Sequence, residues 1–171
     1  MKVDKELVVF FGGTRSGKSD IAQKWMERYG QRCTYVATLG QSNDINDRIA
    51  RHQSRRAYWM STIELESGDQ LVDLIVNATT PLLIDSIGTW LVRYQDFCAP
   101  IERLCSALGN RHVPIVVVGE VVGAGVHPES TTTFDFVDKV GLLSGEISNI
   151  ADQAFLVVAN RLMSLELPWW S

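Results

Sequence analysis

At 171 residues with a formal net charge of −4, the chain has the length of one domain able to bury a real core, and its acidic balance argues against a general nucleic-acid coat. The three cysteines, Cys33, Cys98 and Cys105, are odd in number and lack C-x-x-C spacing, which argues against a disulfide framework or a cysteine metal site and fits reduced thiols in a cytoplasmic protein. Lys2, Asp4, Lys5 and Glu6 interrupt any apolar leader and no run approaches a membrane span, so a soluble protein without membrane insertion is expected.

Leu7 to Phe11 is an uninterrupted apolar run and reads as a buried strand. It leads into Gly12-Gly13-Thr14-Arg15-Ser16-Gly17-Lys18-Ser19, where Gly12, four intervening residues and Gly17-Lys18-Ser19 have the spacing of a P-loop. The chemistry needs those residue types. Glycines let main-chain N–H groups close around a polyphosphate, Lys18 reaches its outer phosphates, Ser19 is placed to coordinate Mg²⁺, and the start of the following helix favours negative charge. A Gly-rich turn that binds nothing is the alternative; the strand before it and the helical spacing after it weigh against that.

Ile21, Ala22, Trp25 and Met26 recur at helical spacing up to Gly30. Thr34 to Thr38 is a short β-branched and aromatic run, read as a second strand whose carboxyl end opens on the same crevice, with Ala37, Thr38 and Leu39 lining it. In the polar segment Ser42 to Arg56, Ile45, Ile49 and His52 share one helical face, and Arg48, Arg51, Arg55 and Arg56 surround the histidine. Arginine forks suit phosphate oxygens, and neighbouring positive charge favours the neutral imidazole, the form able to attack phosphorus. A solvated arginine face with His52 packed beside the isoleucines accounts for the same spacing.

Trp59 to Glu64 reads as a short strand and Leu71 to Ile75 as an amphipathic helix. Pro81-Leu82-Leu83-Ile84-Asp85 reads as a central parallel strand tipped by an acid, which in a P-loop protein holds the Mg²⁺ water shell. Ile87 to Tyr94 and Ile101 to Leu108 are expected as helices, Pro114 to Val118 as the most apolar strand, and Gly119 to Pro128 as a long functional loop. A long helix from Phe134 to Ala151, containing Gly141 and Gly145, precedes a terminal hairpin of Ala154–Val158 with Leu162–Leu167 across Asn160. Trp169 and Trp170 read as a packed or interface tail. The alternation predicts an α/β fold with a mainly parallel sheet flanked by helices and a C-terminal antiparallel hairpin, in one domain over 1–171.

Gly-Gly-Thr-Arg-Ser-Gly-Lys-Ser (12 to 19), Tyr-Val-Ala-Thr (35 to 38), Arg48-Ile49 with His52 and Arg55, Trp59, the Leu-Leu-Ile-Asp strand, and Glu-Val-x-Gly-x-Gly-Val-x-Pro-Glu (120 to 129) together resemble the bifunctional adenosylcobinamide kinase and adenosylcobinamide-phosphate guanylyltransferase family of cobalamin synthesis. The resemblance runs in order over nearly the whole chain. It implies a P-loop NTPase-like fold, ATP and GTP as substrates with Mg²⁺, adenosylcobinamide as acceptor, and a homo-oligomer, specifically a trimer. It also implies a GMP-histidine intermediate on His52, a phosphate loop at Gly12 to Ser19, and further nucleotide contacts from Ala37, Thr38, Leu39, Gln53, Ser54, Arg55, Arg56, Glu64 and Asp85, with Glu64 suited to the N–H edge of guanine.

The chain departs from the family pattern in three places. Gly119 stands where the family has Asn, Val137 where it has Arg, and Ser144-Gly145 where it has Asn-Gln. These departures keep two other readings open: a monofunctional P-loop small-molecule kinase, and a catalytically degenerate GTP-binding regulatory module.

Overall fold

Leu7 to Gly12 (β1) is buried at every residue, as a β-branched and aromatic run must be when both faces of a parallel sheet are covered. The computed structural model describes residues 5–30, 32–39, 59–123 and 131–168. The expected arginine-rich helix over 42–56, the second half of the loop 119–128 and the Trp169-Trp170 tail lie outside the described residues. Among the described residues the elements after β1 are α1 (Lys18–Met26), β2 (Cys33–Ala37), β3 (Met60–Glu64), α2 (Gln70–Val76), β4 (Leu82–Asp85), α3 (Ile87–Leu91), α4 (Ile101–Gly109), β5 (Ile115–Glu120), α5 (Thr131–Ile150), β6 (Gln153–Val158) and β7 (Arg161–Leu165).

The strands form a seven-stranded sheet in the order β3-β2-β4-β5-β1-β6-β7. Every pairing is parallel except β6 with β7. Alternation along β1 sorts the core into two layers. Leu7, Val9 and Phe11 face Leu71, Trp90, Leu104, Leu108, Leu143 and Ile147 of α2 to α5, whereas Val8 and Phe10 face Ala22 and Met26 of α1. The chain therefore leaves β1 across one face and leaves β5 across the other. A crevice opens at the carboxyl ends of the strands where such connections diverge, and the register places Gly12 beside Glu120 and Ala37 between Asp85 and Glu64 on that rim.

Several expected boundaries shift. The helix expected over Ile87 to Tyr94 stops at Leu91, because Arg93 turns inward to bond main-chain carbonyls and Asp96 and Phe97 take left-handed backbone at φ 51 and 55. Strand β5 runs on through Gly119 and Glu120, since its ladder with β1 continues to Gly12. The last strand ends at Leu165 rather than Leu167, because Leu165 pairs with Ala154 near the beginning of β6. Helix α5 begins at Thr131, three residues before Phe134. The hairpin turn sits at Ala159 and Asn160, both left-handed at φ 49 and 61, the geometry that suits a two-residue connection and that asparagine tolerates.

Candidate functional site

The phosphate loop begins where β1 ends. Gly12 admits no side chain, since a Cβ would fall 2.5 Å from Ser16 Oγ and 2.7 Å from the Val157 carbonyl oxygen. Arg15 and Gly17 take φ of 59 and 94, and the loop closes through Ser16 N–H donating to the Gly13 carbonyl at 3.3 Å. Gly17 caps α1 without a side-chain bond, so the leading N–H groups of that helix face the crevice with no side-chain cap on them. The Lys18 ammonium folds back to the Gly13 carbonyl at 3.2 Å. The buried Ser16 hydroxyl has no hydrogen-bond partner among the described residues. Thr14 and Arg15 are exposed, Ser19 half-buried.

A part of this cradle that the sequence reading missed is the hairpin tip. Asn160 N–H donates to the Ser16 carbonyl at 2.9 Å, and a Cβ on Gly17 would lie 1.9 Å from Asn160 Oδ1. The glycine of the phosphate motif is thus demanded by a neighbouring strand turn as well as by its own φ.

Across the crevice Asp85 ends β4 and accepts from the Tyr35 hydroxyl at 2.6 Å. Glu64 ends β3, half-buried beside Ala37. Ala37 is 5% and Thr38 0% exposed, so these two reach the crevice floor from beneath rather than through open side chains. The Thr38 hydroxyl donates to the Ser86 carbonyl at 2.6 Å and accepts from Ser86 N–H at 2.7 Å. Arg93 ties the Thr38 carbonyl to that of Leu65. Leu39 is half-buried beside them.

Ser86 caps α3 in a box closed by Thr89, a pairing whose signal was the Ser-x-x-Thr spacing directly after Asp85. Beside it Glu120 accepts from the Ser86 hydroxyl and, at 2.8 Å, from Gly88 N–H. Burial pushes the Glu120 carboxyl above its usual range; its two hydrogen bonds and Lys18 pull it back, and Asp85 adds to the rise. His52, Gln53, Ser54, Arg55 and Arg56 lie outside the described residues.

For Mg²⁺ the available donors are hard oxygens, Ser19 and Asp85, with no cluster of three or more His, Cys, Asp or Glu among the described residues. Hard oxygens suit Mg²⁺, an ion that keeps much of its water and is held by few protein ligands together with substrate phosphates. The partnerless Ser16 hydroxyl and the uncapped helix start fit a phosphate beside it.

A phosphate cradle facing an acid-tipped strand is common to many nucleotide enzymes, and the comparison with known families decides among them. The family model for cobinamide kinase / cobinamide phosphate guanyltransferase matches residues 8–165. The chain belongs to that family. It is 29% identical over 166 residues to the bifunctional adenosylcobalamin biosynthesis protein CobP of Pseudomonas aeruginosa, covering 92% of this chain and 96% of that protein. It is 25% identical over 174 residues to the bifunctional adenosylcobalamin biosynthesis protein CobU of Escherichia coli K12, covering 90% and 96%. In fold it resembles a prototypical ATPase from the type III secretion system of pathogenic bacteria, with TM-score 0.53 and 9% identity over 90% of this chain and 51% of that one. The fold is that of the P-loop NTPases. No helix among the described residues is long and apolar enough to cross a membrane.

Proposed function

We propose that the chain is a cytoplasmic, oligomeric transferase that phosphorylates the aminopropanol hydroxyl of adenosylcobinamide and then transfers GMP from GTP to the resulting phosphate. In the first reaction the hydroxyl oxygen bonds to the γ-phosphorus of a nucleoside triphosphate, the bond from that phosphorus to the β–γ bridging oxygen breaks, and the hydroxyl proton leaves. In the second, a His52 ring nitrogen bonds to the α-phosphorus of GTP and pyrophosphate departs. An oxygen of adenosylcobinamide phosphate then takes the guanylyl group, and the nitrogen–phosphorus bond breaks. Dividing one displacement into two in this way lowers each barrier.

The observation that carries the reading is the P-loop cradle, with its partnerless Ser16 hydroxyl, in a chain matched by the family model over residues 8–165. Lys18, Arg15 and the loop N–H groups hold the triphosphate, Ser19 and Asp85 hold Mg²⁺, and Glu64 accepts from guanine. Ala37, Thr38 and Leu39 shape the floor, while Gln53, Ser54, Arg55 and Arg56 meet the nucleotide beside His52. Bound Mg²⁺ supplies charge neutralisation at the phosphates.

Intact-mass spectrometry after incubation with GTP and Mg²⁺ tests this. The expected result is one guanylyl group added per chain, labile in acid and stable in base, and absent from His52→Ala. An adduct that survives His52→Ala removes the nucleophile assignment. Kinase turnover with no adduct makes the protein a monofunctional kinase, and tight GTP binding with no product makes it a regulatory module.

A further inference from the structure

The tips of four strands meet at one small polar knot in which the functional reading gives a role to Thr38 and none to Ser86, Thr89 or Glu120. Glu120, at the end of β5, accepts from the Ser86 hydroxyl and from Gly88 N–H. Ser86 is 3% exposed and exchanges bonds with Thr38 from the β2 tip through its N–H and carbonyl. Thr89 meets the hydroxyls of both Ser86 and Thr38 at 3.0 and 2.5 Å. Val121 N–H, next after Glu120, donates to the Gly12 carbonyl at 3.1 Å, so the knot is also tied to the entrance of the phosphate loop. Asp85 is the residue immediately before Ser86, and Lys18 and Asp85 both act on the Glu120 carboxylate through charge.

Each Glu120 oxygen already holds a donor, and the approach is close enough that a Cβ on Gly88 would lie 2.4 Å from Oε2. A carboxylate that collects a substrate proton must keep a lone pair facing the substrate, and each Glu120 oxygen commits one of its two to a donor. A carboxylate whose oxygens are each taken by the main chain and a capping hydroxyl is placed to hold those groups still. We infer that Glu120 is a positioning residue for the triphosphate site, clamping the Ser86–Gly88 turn so that Asp85 is held opposite Lys18. The inference rests on the proposed nucleotide site and adds to it a residue with no contact to phosphate.

Glutamine separates this role from proton transfer. Its carbonyl can accept from Gly88 N–H while its amide donates to the Ser86 oxygen, so Glu120→Gln keeps both links and loses the charge. Glu120→Ala leaves two buried donors without an acceptor and is expected to weaken binding of a fluorescent GTP analogue with Mg²⁺ about tenfold or more. Glu120→Gln is expected to restore it to within about threefold. Gly88→Ala is the independent arm: alanine favours the helix it enters, yet its methyl displaces the carboxylate, so this variant should fold and bind like Glu120→Ala.

In turnover assays the clamp predicts a raised KM together with a lowered kcat for Glu120→Ala, and recovery of both in Glu120→Gln. Native affinity in Glu120→Ala and Gly88→Ala overturns the inference. So does a Glu120→Gln variant that binds normally and loses kcat as far as alanine does, since the carboxylate would then be the proton acceptor. If the native protein binds the nucleotide and transfers nothing to a cobinamide acceptor, the functional reading fails alone, and the binding comparison still decides the role of Glu120.

Discussion

Two polar regions lie side by side at the carboxyl ends of the strands, and they are built on opposite principles. Among the described residues, the Ser16 hydroxyl of the phosphate loop is buried without a partner, α1 starts without a side-chain cap, and Lys18 bonds a carbonyl of its own loop. In the knot of Thr38, Ser86, Thr89 and Glu120, each side chain is bonded to another member. A buried polar group left open costs folding free energy. The difference teaches that the loop carries open valences where a ligand completes the structure, whereas the knot spends its valences on shape.

The strongest way to break that contrast is at Lys18. Lys18→Ala should leave the fold intact, since among the described residues the ammonium bonds only a carbonyl of its own loop, and should lower triphosphate affinity about a hundredfold or more by deleting the charge that meets the outer phosphates. Isothermal titration with GTP and Mg²⁺ reads the loss. Unchanged affinity would mean that the loop is a turn and nothing else.

Paired serine substitutions sharpen the contrast further. Ser86→Ala removes a helix cap and takes a donor from Glu120, and should cost about 2 kcal/mol of stability. Ser16→Ala removes a buried hydroxyl with no hydrogen-bond partner among the described residues, so its thermal midpoint should equal or exceed the native one, while GTP affinity falls about tenfold. Chemical denaturation and nucleotide titration of the two variants check the pattern. Equal stability losses in both would erase the distinction between the regions.

How much of this was legible in the sequence follows the same division. The phosphate loop was readable because its chemistry is local: a strand, a fixed glycine spacing and a helix start all lie within 7–20. The central strands were readable because burial on both faces leaves continuous apolar runs such as Ile115 to Val118. The knot was not readable, because its members come from 38, 86, 89 and 120 and meet only through sheet order. Nor was the hairpin contact, which brings Asn160 onto Gly17 from the far end of the chain.

Two of the positions where the sequence was expected to depart from the family pattern sit in contrasting surroundings. At Gly119 a Cβ would fall 2.6 Å from the Phe11 ring, so the room an asparagine would need is occupied by an aromatic side chain of β1. Gly145 lies in the opposite situation: nothing stands within 4 Å of an added Cβ, and with Ser144 and Gly141 it borders a cavity of about 340 Å³ that also touches Glu120. Gly119 is closed in by packing, and Gly145 is open.

The smallest effect concerns pH. Burial raises the Glu120 carboxyl above its ordinary value of 4.5 in the folded protein, so the folded state holds that proton more tightly than the unfolded chain does. Its contribution to stability is therefore greatest below 4.5 and is lost as pH rises through the raised value. Glutamine carries no such proton and keeps the same two links. The thermal midpoint of Glu120→Gln relative to the native protein should accordingly climb as pH is raised from the ordinary carboxyl range toward neutrality, and level off once the native carboxyl is ionised. A difference that stays flat across that range would mean that the positive charge of Lys18 and the two donors offset burial in full, and that the knot holds an anion as readily as the unfolded chain does.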